Sequence, residues 1–463
     1  MKVLWLCNIM LPAVARQLGI EASNKEGWLS GLASAVLGAQ SERGIYLSVA
    51  FPMGKCSGHT ASGQLLEEGV LKGEIRTDQG AFTYFGFPED VSHPENYDSA
   101  LEKSLGRILE EAEPDIVHCF GTEYPHTLAM CRIYPQKDRL LIGLQGICLL
   151  YAQAYFANLP ENVIRSVTLR DYLKKDSLVR QREKFVMRGE MERQAVGLAG
   201  NITGRTHWDL ACAEEWNPKA QYYHMNEVLR EEFYDPSWQE GTCIPHSIFL
   251  SQGDYPIKGL HYMLHALPEI LGKYPDAKVY VAGNSIVRCA TLTEKLKLSA
   301  YGKYLRRLLE QKDLEERVVF LGRLNGEQMR DRYLVSHLFV CPSSIENSPN
   351  SLGEAMLLGM PCVSADVGGI SSLFDGERDG ILYQGYRVGC DGGGELEAIS
   401  QRLAKAVIRI WSDPDRMGTY GANAKQHAML THDRQKNSQR LLEIYQNIYD
   451  RVPHSVDSKK VGV

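Results

Sequence analysis

The sequence contains no long hydrophobic run, no internal repeat and no large excess of one charge. No stretch of about 18 uncharged apolar residues occurs, so the sequence predicts no transmembrane helix. The formal net charge of −6 is small for a chain of 463 residues. Bulk charge therefore does not indicate binding to nucleic acid.

The cysteines also lack a pattern that would define a covalent or metal-bound framework. The eleven cysteines are odd in number, and they show neither CxxC nor Cys/His ligand spacing. We therefore expect free thiols in a reducing compartment such as the cytoplasm, rather than disulfides or zinc. The apolar run after Lys2 has features of a short signal peptide. Because Asn8 interrupts that run, we predict instead a buried first strand at residues 3–7.

What the sequence does contain is a regular alternation of predicted strands and helices. A chain of this length is too long for one hydrophobic core, so two or three domains are expected. The alternation predicts parallel sheets covered by helices on both faces. Two such domains would bind a ligand in the cleft between them, at the carboxyl ends of their strands.

The most informative stretch is residues 341–375, where a strand leads through a loop into a short helix. The helix is predicted to begin near Asn350 and to end at Gly359. Its N-terminus presents free N–H groups and the positive end of the helix dipole, which suit a phosphate or diphosphate. The sequence thus places a candidate anion site at Asn350, Ser351 and Leu352.

Two glutamates, Glu346 and Glu354, flank that helix start with seven residues between them. Glu354 lies one turn inside the helix, where a carboxylate can accept hydrogen bonds from ribose hydroxyls. Glu346 lies before the helix and can contact a group beyond the phosphates, such as a sugar. Alternatives stay open: Ser351 and Glu354 also fit a capping box, and Glu346 also fits a solvated loop acid.

The two glutamates and the following EAMLLGMPCVSADVGG resemble the nucleotide-sugar site of family 4 glycosyltransferases. That family has the GT-B fold, an α/β architecture of two Rossmann-like, doubly wound parallel-sheet domains that face a central cleft. The resemblance implies an acceptor-side domain over residues 1–235 and a donor-binding domain over residues 236–433. It also implies that residues 434–463 form a helix crossing back to the first domain, followed by a disordered tail.

The resemblance implies a hexosyltransferase-type reaction that retains anomeric configuration. A sugar would pass from a nucleotide-diphosphate sugar to an acceptor hydroxyl of a glycan, glycolipid or polysaccharide precursor. The departing phosphate would accept the proton of the acceptor, so the protein mainly orients the sugar and stabilises charge on the leaving group. Glu346 would hold the donor sugar, Glu354 the ribose, and Lys258 the diphosphate.

Three further residues match the family's donor site by position. Gly27, with Glu26 where the family has a second glycine, would face the donor phosphates across the cleft. The backbone at Gly322 and Arg323, after a predicted strand, would meet the nucleotide base.

The sequence departs from the family at two other positions. An arginine that accompanies the family's lysine falls on Gly253, so one cation for the diphosphate is missing or comes from elsewhere. A histidine that contacts the transferred sugar is replaced by Gln145, which can form hydrogen bonds but does not titrate near neutral pH. Arg205 is a candidate for sugar or phosphate recognition, with a buried Arg–Asp pair as the alternative. His118, at a strand end, is interpreted as structural.

No cofactor or metal is implied, because no Asp-x-Asp pair is placed to hold Mg²⁺ and a diphosphate. Residues 164–194 carry a local net charge of +4. This stretch fits either a solvated helix or a peripheral contact with an anionic membrane or a lipid-pyrophosphate acceptor. Two other functions stay open: a nucleotide-sugar 2-epimerase, and a non-catalytic partner subunit that has kept the fold.

Overall fold

The computed structural model describes residues 1–20, 27–54, 63–289, 291–389 and 393–451. The expectations for Glu26 and for a disordered tail at 452–463 lie outside these ranges. Residues 387–395 hold four glycines, which predict a flexible loop, and residues 390–392 of that stretch also lie outside these ranges. The strands are β1 (Lys2–Cys7), β2 (Tyr46–Met53), β3 (Gln64–Leu65), β4 (Leu71–Thr77), β5 (Gly80–Pro88), β6 (Ile116–Phe120), β7 (Leu140–Gly143), β8 (Asn201–Gly204), β9 (Gln221–His224), β10 (Ile244–Leu250), β11 (Lys278–Ala282), β12 (Val318–Gly322), β13 (Ser336–Cys341), β14 (Cys362–Asp366) and β15 (Ile381–Gln384).

The helices cover both faces of the strands, as the alternation in the sequence predicts. They are α1 (Pro12–Leu18), α2 (Gly27–Gly38), α3 (Gln40–Arg43), α4 (Ala100–Ala112), α5 (Pro125–Ile133), α6 (Cys148–Gln153), α7 (Glu161–Ile164), α8 (Leu169–Lys174), α9 (Leu178–Leu198), α10 (His207–Trp216), α11 (Leu260–Lys273), α12 (Leu292–Leu296), α13 (Ala300–Gln311), α14 (Gly326–Val335), α15 (Asn350–Leu357), α16 (Gly393–Trp411), α17 (Pro414–Thr431) and α18 (Arg434–Arg451).

The first sheet has nine strands in the order β3-β4-β5-β2-β1-β6-β7-β8-β9. The predicted strand β1 lies inside this sheet, parallel to β2 and β6. Its side chains alternate between two cores, with Val3 and Trp5 on one face and Leu4 and Leu6 on the other. Burial on both faces explains why the strand is a continuous apolar run. The edge strands β3 and β4 run antiparallel, which the prediction of parallel sheets did not include.

The second sheet has six parallel strands in the order β12-β11-β10-β13-β14-β15. The order reverses between β10 and β13, so a crevice opens at the carboxyl ends of these two strands. In open α/β sheets such a switch point is where ligands bind. The predicted fold class, two Rossmann-like parallel-sheet units, is confirmed.

Residues 148–178, which we call the bridging segment, follow β7 of the first sheet but pack on the second unit. Their apolar side chains, including Tyr155 and Leu159, belong to the same buried cluster as the second sheet. Asn158 Oδ1 accepts a hydrogen bond from the Tyr262 hydroxyl at 2.8 Å, and Asp171 Oδ2 accepts one from Ala300 N at 2.9 Å. The predicted domain boundaries stay a prediction, because this segment contributes to both units.

Helix α18 packs on the first sheet, although it follows the second unit in the chain. Its apolar residues Leu441, Ile444 and Ile448 join the core on one face of that sheet. The Tyr445 hydroxyl accepts a hydrogen bond from Trp5 Nε1 at 2.8 Å and lies 2.7 Å from His118 Nδ1. Burial lowers the pKa of His118 to about 3, so this histidine is neutral in the folded protein.

Within the described ranges, no helix combines the length and apolar character needed to cross a bilayer. The nine cysteines in those ranges are all free, and most of them are buried.

Candidate functional site

A cavity of about 880 Å³ lies at the carboxyl ends of β10, β11 and β13, beside the start of α15. Its wall brings together several residues that are far apart in the sequence. Those that the sequence analysis singled out are Lys258, Arg323, Glu346, Asn350, Ser351 and Glu354.

Lys258 and Glu346 form an ion pair in this wall, with 2.6 Å between Lys258 Nζ and Glu346 Oε1. The pair forms because Gly259, with φ +72°, brings the Lys258 loop against the carbonyl of Pro342, where a Cβ would clash. The Ser343 hydroxyl donates a second hydrogen bond to Glu346 Oε1 at 2.7 Å. Burial lowers the pKa of Lys258, but Glu346 and nearby tyrosines outweigh it and hold that pKa well above the usual value. Lys258 is therefore a fixed positive charge.

The loop that carries Glu346 packs against a turn at Gly368 and Gly369, a pair of glycines that predicts a turn after β14. Gly368 has φ +55°, a left-handed conformation, and a Cβ there would clash with the Glu346 carbonyl. Gly369 N donates to that carbonyl oxygen at 2.9 Å. The turn thereby fixes the direction in which the Glu346 side chain leaves the loop.

Helix α15 begins at Asn350, with Pro349 as its N-cap residue. Asn350 and Ser351 line the cavity, whereas the Leu352 side chain is buried in the core. By helix geometry, the first backbone N–H groups have no partner within the helix. This end of α15 therefore offers N–H donors and partial positive charge to the cavity. The alternative capping box with Ser351 as N-cap is wrong, since Pro349 occupies that position.

The Glu354 side chain pairs with Arg230, which the sequence analysis did not single out. Arg230 Nε lies 2.7 Å from Glu354 Oε1, and Arg230 Nη2 lies 2.8 Å from Glu354 Oε2. Burial raises the pKa of Glu354, and Arg230 opposes this shift without cancelling it. The two residues are 124 positions apart, and no local spacing connects them.

Arg230 reaches Glu354 because the linker between the sheets, residues 225–243, lies directly on α15. A Cβ at Gly353 would stand 2.9 Å from Leu229 Cδ1 and 2.8 Å from His432 Nε2. The absence of a side chain at Gly353 thus permits the close approach. His432 Nδ1 lies 2.9 Å from the Glu227 carbonyl and ties the end of α17 to the same linker.

The other end of the cavity has a polar rim. Gly322 ends β12 with φ +77°, and its carbonyl accepts a hydrogen bond from Gly283 N at 2.9 Å. Arg323 Nε donates to Asn284 Oδ1 at 2.9 Å, and Asn284 Nδ2 donates to Asp254 Oδ2 at 3.1 Å. Asn284 and Asp254 are polar groups near the expected base position that the sequence analysis missed.

Gly253, where the family has an arginine, has no room for a side chain in this backbone arrangement. A Cβ at Gly253 would lie 2.8 Å from both Leu260 Cδ2 and Val281 Cγ1. The side chains of Leu260 and Val281 fill the space that a Cβ would need. An arginine at this position would therefore require Leu260 and Val281 to move.

On the first-sheet side, Gln145 follows β7 and Arg205 follows β8. Arg205 Nη2 donates to Gln145 Oε1 at 3.3 Å, while Arg205 Nη1 lies 2.5 Å from Glu227 Oε1. Arg205 is thus part of a buried ion pair. The alternative interpretation predicted such a pair with an aspartate, but the carboxylate partner is Glu227. Asp209 instead accepts a hydrogen bond from the Arg205 backbone N–H at 2.8 Å.

Asn347, next to Glu346, joins the two units across the cleft. Asn347 Nδ2 donates to the Gln145 carbonyl at 2.9 Å and to Asp209 Oδ2 at 3.1 Å. The Thr206 hydroxyl donates to Asn347 Oδ1 at 2.7 Å. This buried amide satisfies three partners and fixes the position of Gln145 relative to Glu346.

Two further carboxyl groups lie at the end of β6 and were not predicted. Glu123 accepts hydrogen bonds from Gly146 N at 2.9 Å and from Asn8 Nδ2 at 3.1 Å. Burial raises the pKa of Glu192 to about 8, and its carboxyl group accepts hydrogen bonds from the Thr122 hydroxyl and Cys148 N. Both groups hold the loops at this edge of the first sheet.

Gly27 is the first residue of α2.

Within the described ranges, no three or more His, Cys, Asp or Glu side chains are grouped so that they could hold a metal ion.

Comparison with solved structures first defines the class of fold. Sucrose-phosphate synthase from Thermosynechococcus elongatus superposes with a TM-score of 0.64 at 13% identity, over 98% of this chain and all of that chain. HepE from Anabaena, solved with UDP-glucose, gives a TM-score of 0.59 at 17% identity, over 96% of this chain and all of that chain. At these identities the likeness establishes the fold, which is GT-B.

Sequence comparison then relates the second unit to a family. Residues 245–413 match the family model described as Glycosyl transferases group 1. Lys258, Glu346 and Glu354 all fall inside that range. An uncharacterised glycosyltransferase of Methanocaldococcus jannaschii is 30% identical over 154 residues, which are 31% of this chain. The chain spans only 36% of the length of that relative.

Proposed function

We propose that the protein is a glycosyltransferase that moves a sugar from a nucleotide-diphosphate sugar to an acceptor hydroxyl. The observation that carries this proposal is the convergence of Lys258 and the start of α15 on one cavity, beside two carboxylates. A fixed cation and unpaired N–H donors are what a diphosphate leaving group requires. The match of residues 245–413 to a glycosyltransferase family and the UDP-glucose bound to HepE support the same function.

The chemistry that fits these residues is a same-face displacement that retains configuration, as in family 4. The acceptor oxygen forms a bond to the anomeric carbon while the bond to the β-phosphate oxygen breaks. The departing phosphate takes the acceptor proton, and Lys258 with the α15 N-terminus stabilises its charge. Glu346, now paired with Lys258, would accept hydrogen bonds from the donor sugar. No metal or cofactor enters this proposal.

The acceptor would enter from the first sheet, where Gln145 and Gly146 face the cleft loop that carries Glu346 and Asn347. Gln145 supplies an amide in place of the family histidine. Its hydrogen bond with Arg205 and the contact of its carbonyl with Asn347 keep it in place. A neutral amide suits binding of a sugar hydroxyl without a change of charge.

The first experiment is thermal stabilisation by UDP, GDP, ADP and their common sugar conjugates. A ligand at 100 times its Kd adds about 2.7 kcal/mol to the free energy of unfolding. We expect one nucleotide to stabilise the wild type and not Glu354→Ala, while Glu269→Ala, at an exposed position, behaves as wild type. Transfer from the matching sugar nucleotide to an acceptor then tests the reaction.

The two other functions predict different results. Tight nucleotide binding without transfer to any acceptor favours the non-catalytic subunit. Release of an epimerised sugar nucleotide in the absence of acceptor favours the 2-epimerase. If no nucleotide binds, the proposed function is wrong.

We further propose that the acceptor is lipid-linked and that α8 meets an anionic membrane surface. Leu169, Tyr172 and Leu173 are 54%, 73% and 71% exposed, and their i, i+3, i+4 spacing puts them on one face of the helix. The opposite face is anchored, since Asp171 is buried and bonds to Ala300 N. Lys174 and Lys175 lie beside the apolar face, a combination that suits anionic lipid.

Co-sedimentation of the full chain with vesicles tests this contact. We expect binding to vesicles of phosphatidylcholine with phosphatidylglycerol and little binding to phosphatidylcholine alone. Lys174→Glu with Lys175→Glu should weaken binding at least about tenfold. The matched control is Lys303→Glu with Arg307→Glu on the exposed side of α13. Equal binding by both double variants, or none by the wild type, contradicts the proposal.

A further inference from the structure

The pair between Arg230 and Glu354 differs from the other ion pair in the cavity in its geometry. Both nitrogens of one guanidinium edge meet both oxygens of the carboxylate, at 2.7 and 2.8 Å. Such a bidentate pair fixes the plane of the carboxylate as well as its charge. Both side chains are largely buried, with 17% and 5% exposed, yet both line the cavity.

The pairing leaves half of the acceptor capacity of Glu354 available. A carboxylate has about four lone-pair positions, and Arg230 occupies one on each oxygen. Each oxygen therefore keeps one position for a further donor. Two oxygens in a fixed plane match two neighbouring hydroxyls, such as those at the 2′ and 3′ positions of ribose.

The linker holds Arg230 in place from its other side. The Arg230 guanidinium carbon lies 4.7 Å from the centre of the Phe233 ring. The adjacent Leu229 N donates to the Tyr234 hydroxyl at 3.0 Å, and that hydroxyl donates to the His432 carbonyl at 2.7 Å. Arg230 is thus part of a braced turn and not a freely rotating surface side chain.

We infer that Arg230 is a positioning residue for the nucleoside, because it holds the Glu354 carboxylate in the orientation that accepts both ribose hydroxyls. The inference rests on the proposed function and adds to it a role for the linker. Since Arg230 lies in the segment that joins the two sheets, nucleotide binding is connected directly to the position of that segment. Without Arg230, Glu354 would be a buried carboxylate with no fixed orientation and no opposite charge beside it.

The test compares ribose-bearing and ribose-modified probes. The probes are UDP, GDP and ADP, each beside its 2′,3′-dideoxy form, with Kd measured by calorimetry. Arg230→Gln should lower the affinity for the nucleoside diphosphate at least about tenfold, because the hydrogen bonds from the ribose hydroxyls to the charged Glu354 are lost. The dideoxy form should change less than about threefold. Arg230→Lys should restore part of the difference, since it returns the charge without the planar fork.

The pH profile supplies a readout that a purely structural role would not change. Burial without Arg230 raises the pKa of Glu354 further, so its protonation in Arg230→Gln should begin at a higher pH. As pH decreases, affinity for the nucleoside diphosphate should therefore begin to fall at a higher pH in the variant than in the wild type. Arg409→Gln, which breaks an exposed pair with Glu377, is the matched control.

Each result separates this inference from the proposed function. If Arg230→Gln weakens the ribose and dideoxy probes equally, or weakens neither, the positioning role is wrong and the proposed function is unaffected. If the wild type binds no nucleotide, both are wrong. Should Arg230→Gln fail to fold, the double variant with Glu354→Gln removes the unpaired charge. That variant should bind the ribose and dideoxy probes with equal affinity, and a preference for ribose would overturn the inference.

Discussion

Lys258 and Glu346 show how one residue pair can prepare a site for a charged leaving group. In the free protein, each side chain neutralises the other at 2.6 Å. Under the proposed function, an arriving diphosphate would replace Glu346 as the partner of Lys258 and would free Glu346 for the hydroxyls of the sugar. The site therefore does not hold an isolated buried charge before the donor arrives.

We predict that Lys258→Gln lowers kcat by about 10²- to 10³-fold, the usual effect of removing one donor to developing charge. Its affinity for a nucleoside diphosphate should fall more than its affinity for the monophosphate. Steady-state kinetics and calorimetry measure both effects, with the exposed Lys303→Gln as control. A turnover within threefold of wild type would exclude Lys258 from the reaction.

Gly253→Arg introduces the arginine that family 4 has at this position. We expect it not to supply a cation to the proposed diphosphate site. Because its Cβ would meet Leu260 and Val281 at 2.8 Å, we expect a loss of about 1–3 kcal/mol in the free energy of unfolding. Urea denaturation measures the loss. Gly418→Arg is the control, since Gly418 is exposed within α17 with no atom near its Cβ. That change should be neutral or slightly stabilising. Increased activity in Gly253→Arg would contradict this account.

The resemblance to family 4 implied roles for Lys258 and Glu346, whereas local spacing predicted the helix start at Asn350, because a helix start has a short-range signature. Local spacing could not predict Arg230 or Asn347 as partners. Their contacts join segments more than a hundred residues apart. Nothing in the pattern of either segment specifies which buried polar group the other must satisfy.

At the scale of elements, the alternation of patterns predicted parallel sheets covered by helices, and it predicted strand β1 and the start of α15. The antiparallel edge of β3 and β4 escaped prediction, since its exposed alternation resembles a loop. Residues 164–194, which overlap the end of the bridging segment, were predicted as helical and basic. The packing of the bridging segment on the second unit was not predicted, because an apolar pattern shows that a face is buried and not what covers it.

Helix α18 should stabilise the first sheet through one hydroxyl. Tyr445→Phe leaves Trp5 Nε1 without its acceptor and removes the group beside His118 Nδ1. We expect a loss of about 1–3 kcal/mol in the free energy of unfolding, the penalty for a buried unsatisfied polar group. Denaturant titration measures it against Tyr46→Phe, at an exposed position. A change below about 0.5 kcal/mol in Tyr445→Phe would show that water replaces the hydroxyl.

For the whole molecule, buried histidines predict a loss of stability in mild acid. Burial lowers the pKa of His118 and His261 to about 3 and that of His337 and His432 to about 4. Each takes up a proton near pH 6.5 only when unfolded, so stability is full above that pH and falls as pH decreases towards 4. Glu192, with its pKa raised to about 8, acts in the opposite direction.

The net effect is a loss of roughly 3–4 kcal/mol per pH unit near pH 5.5, at about 1.4 kcal/mol for each titrating group. Urea denaturation at several pH values measures the slope. His261→Gln should reduce the slope by about one group. A free energy of unfolding that stays constant between pH 7 and 5 would contradict the burial of these side chains.

The bridging segment has a consequence for the ancestry of such chains. Two-unit enzymes are often imagined to diversify by exchanging halves at the linker, each half carrying its own specificity. Here Tyr155 and Leu159 follow β7 of the first sheet in the chain, yet they complete the core of the second unit. A recombinant joined near residue 235 would combine the bridging segment of one protein with the second unit of another. The apolar side chains of that segment would not match the core that they must complete. We therefore expect such a recombinant to leave the core of its second unit poorly packed and to unfold more readily than either parent.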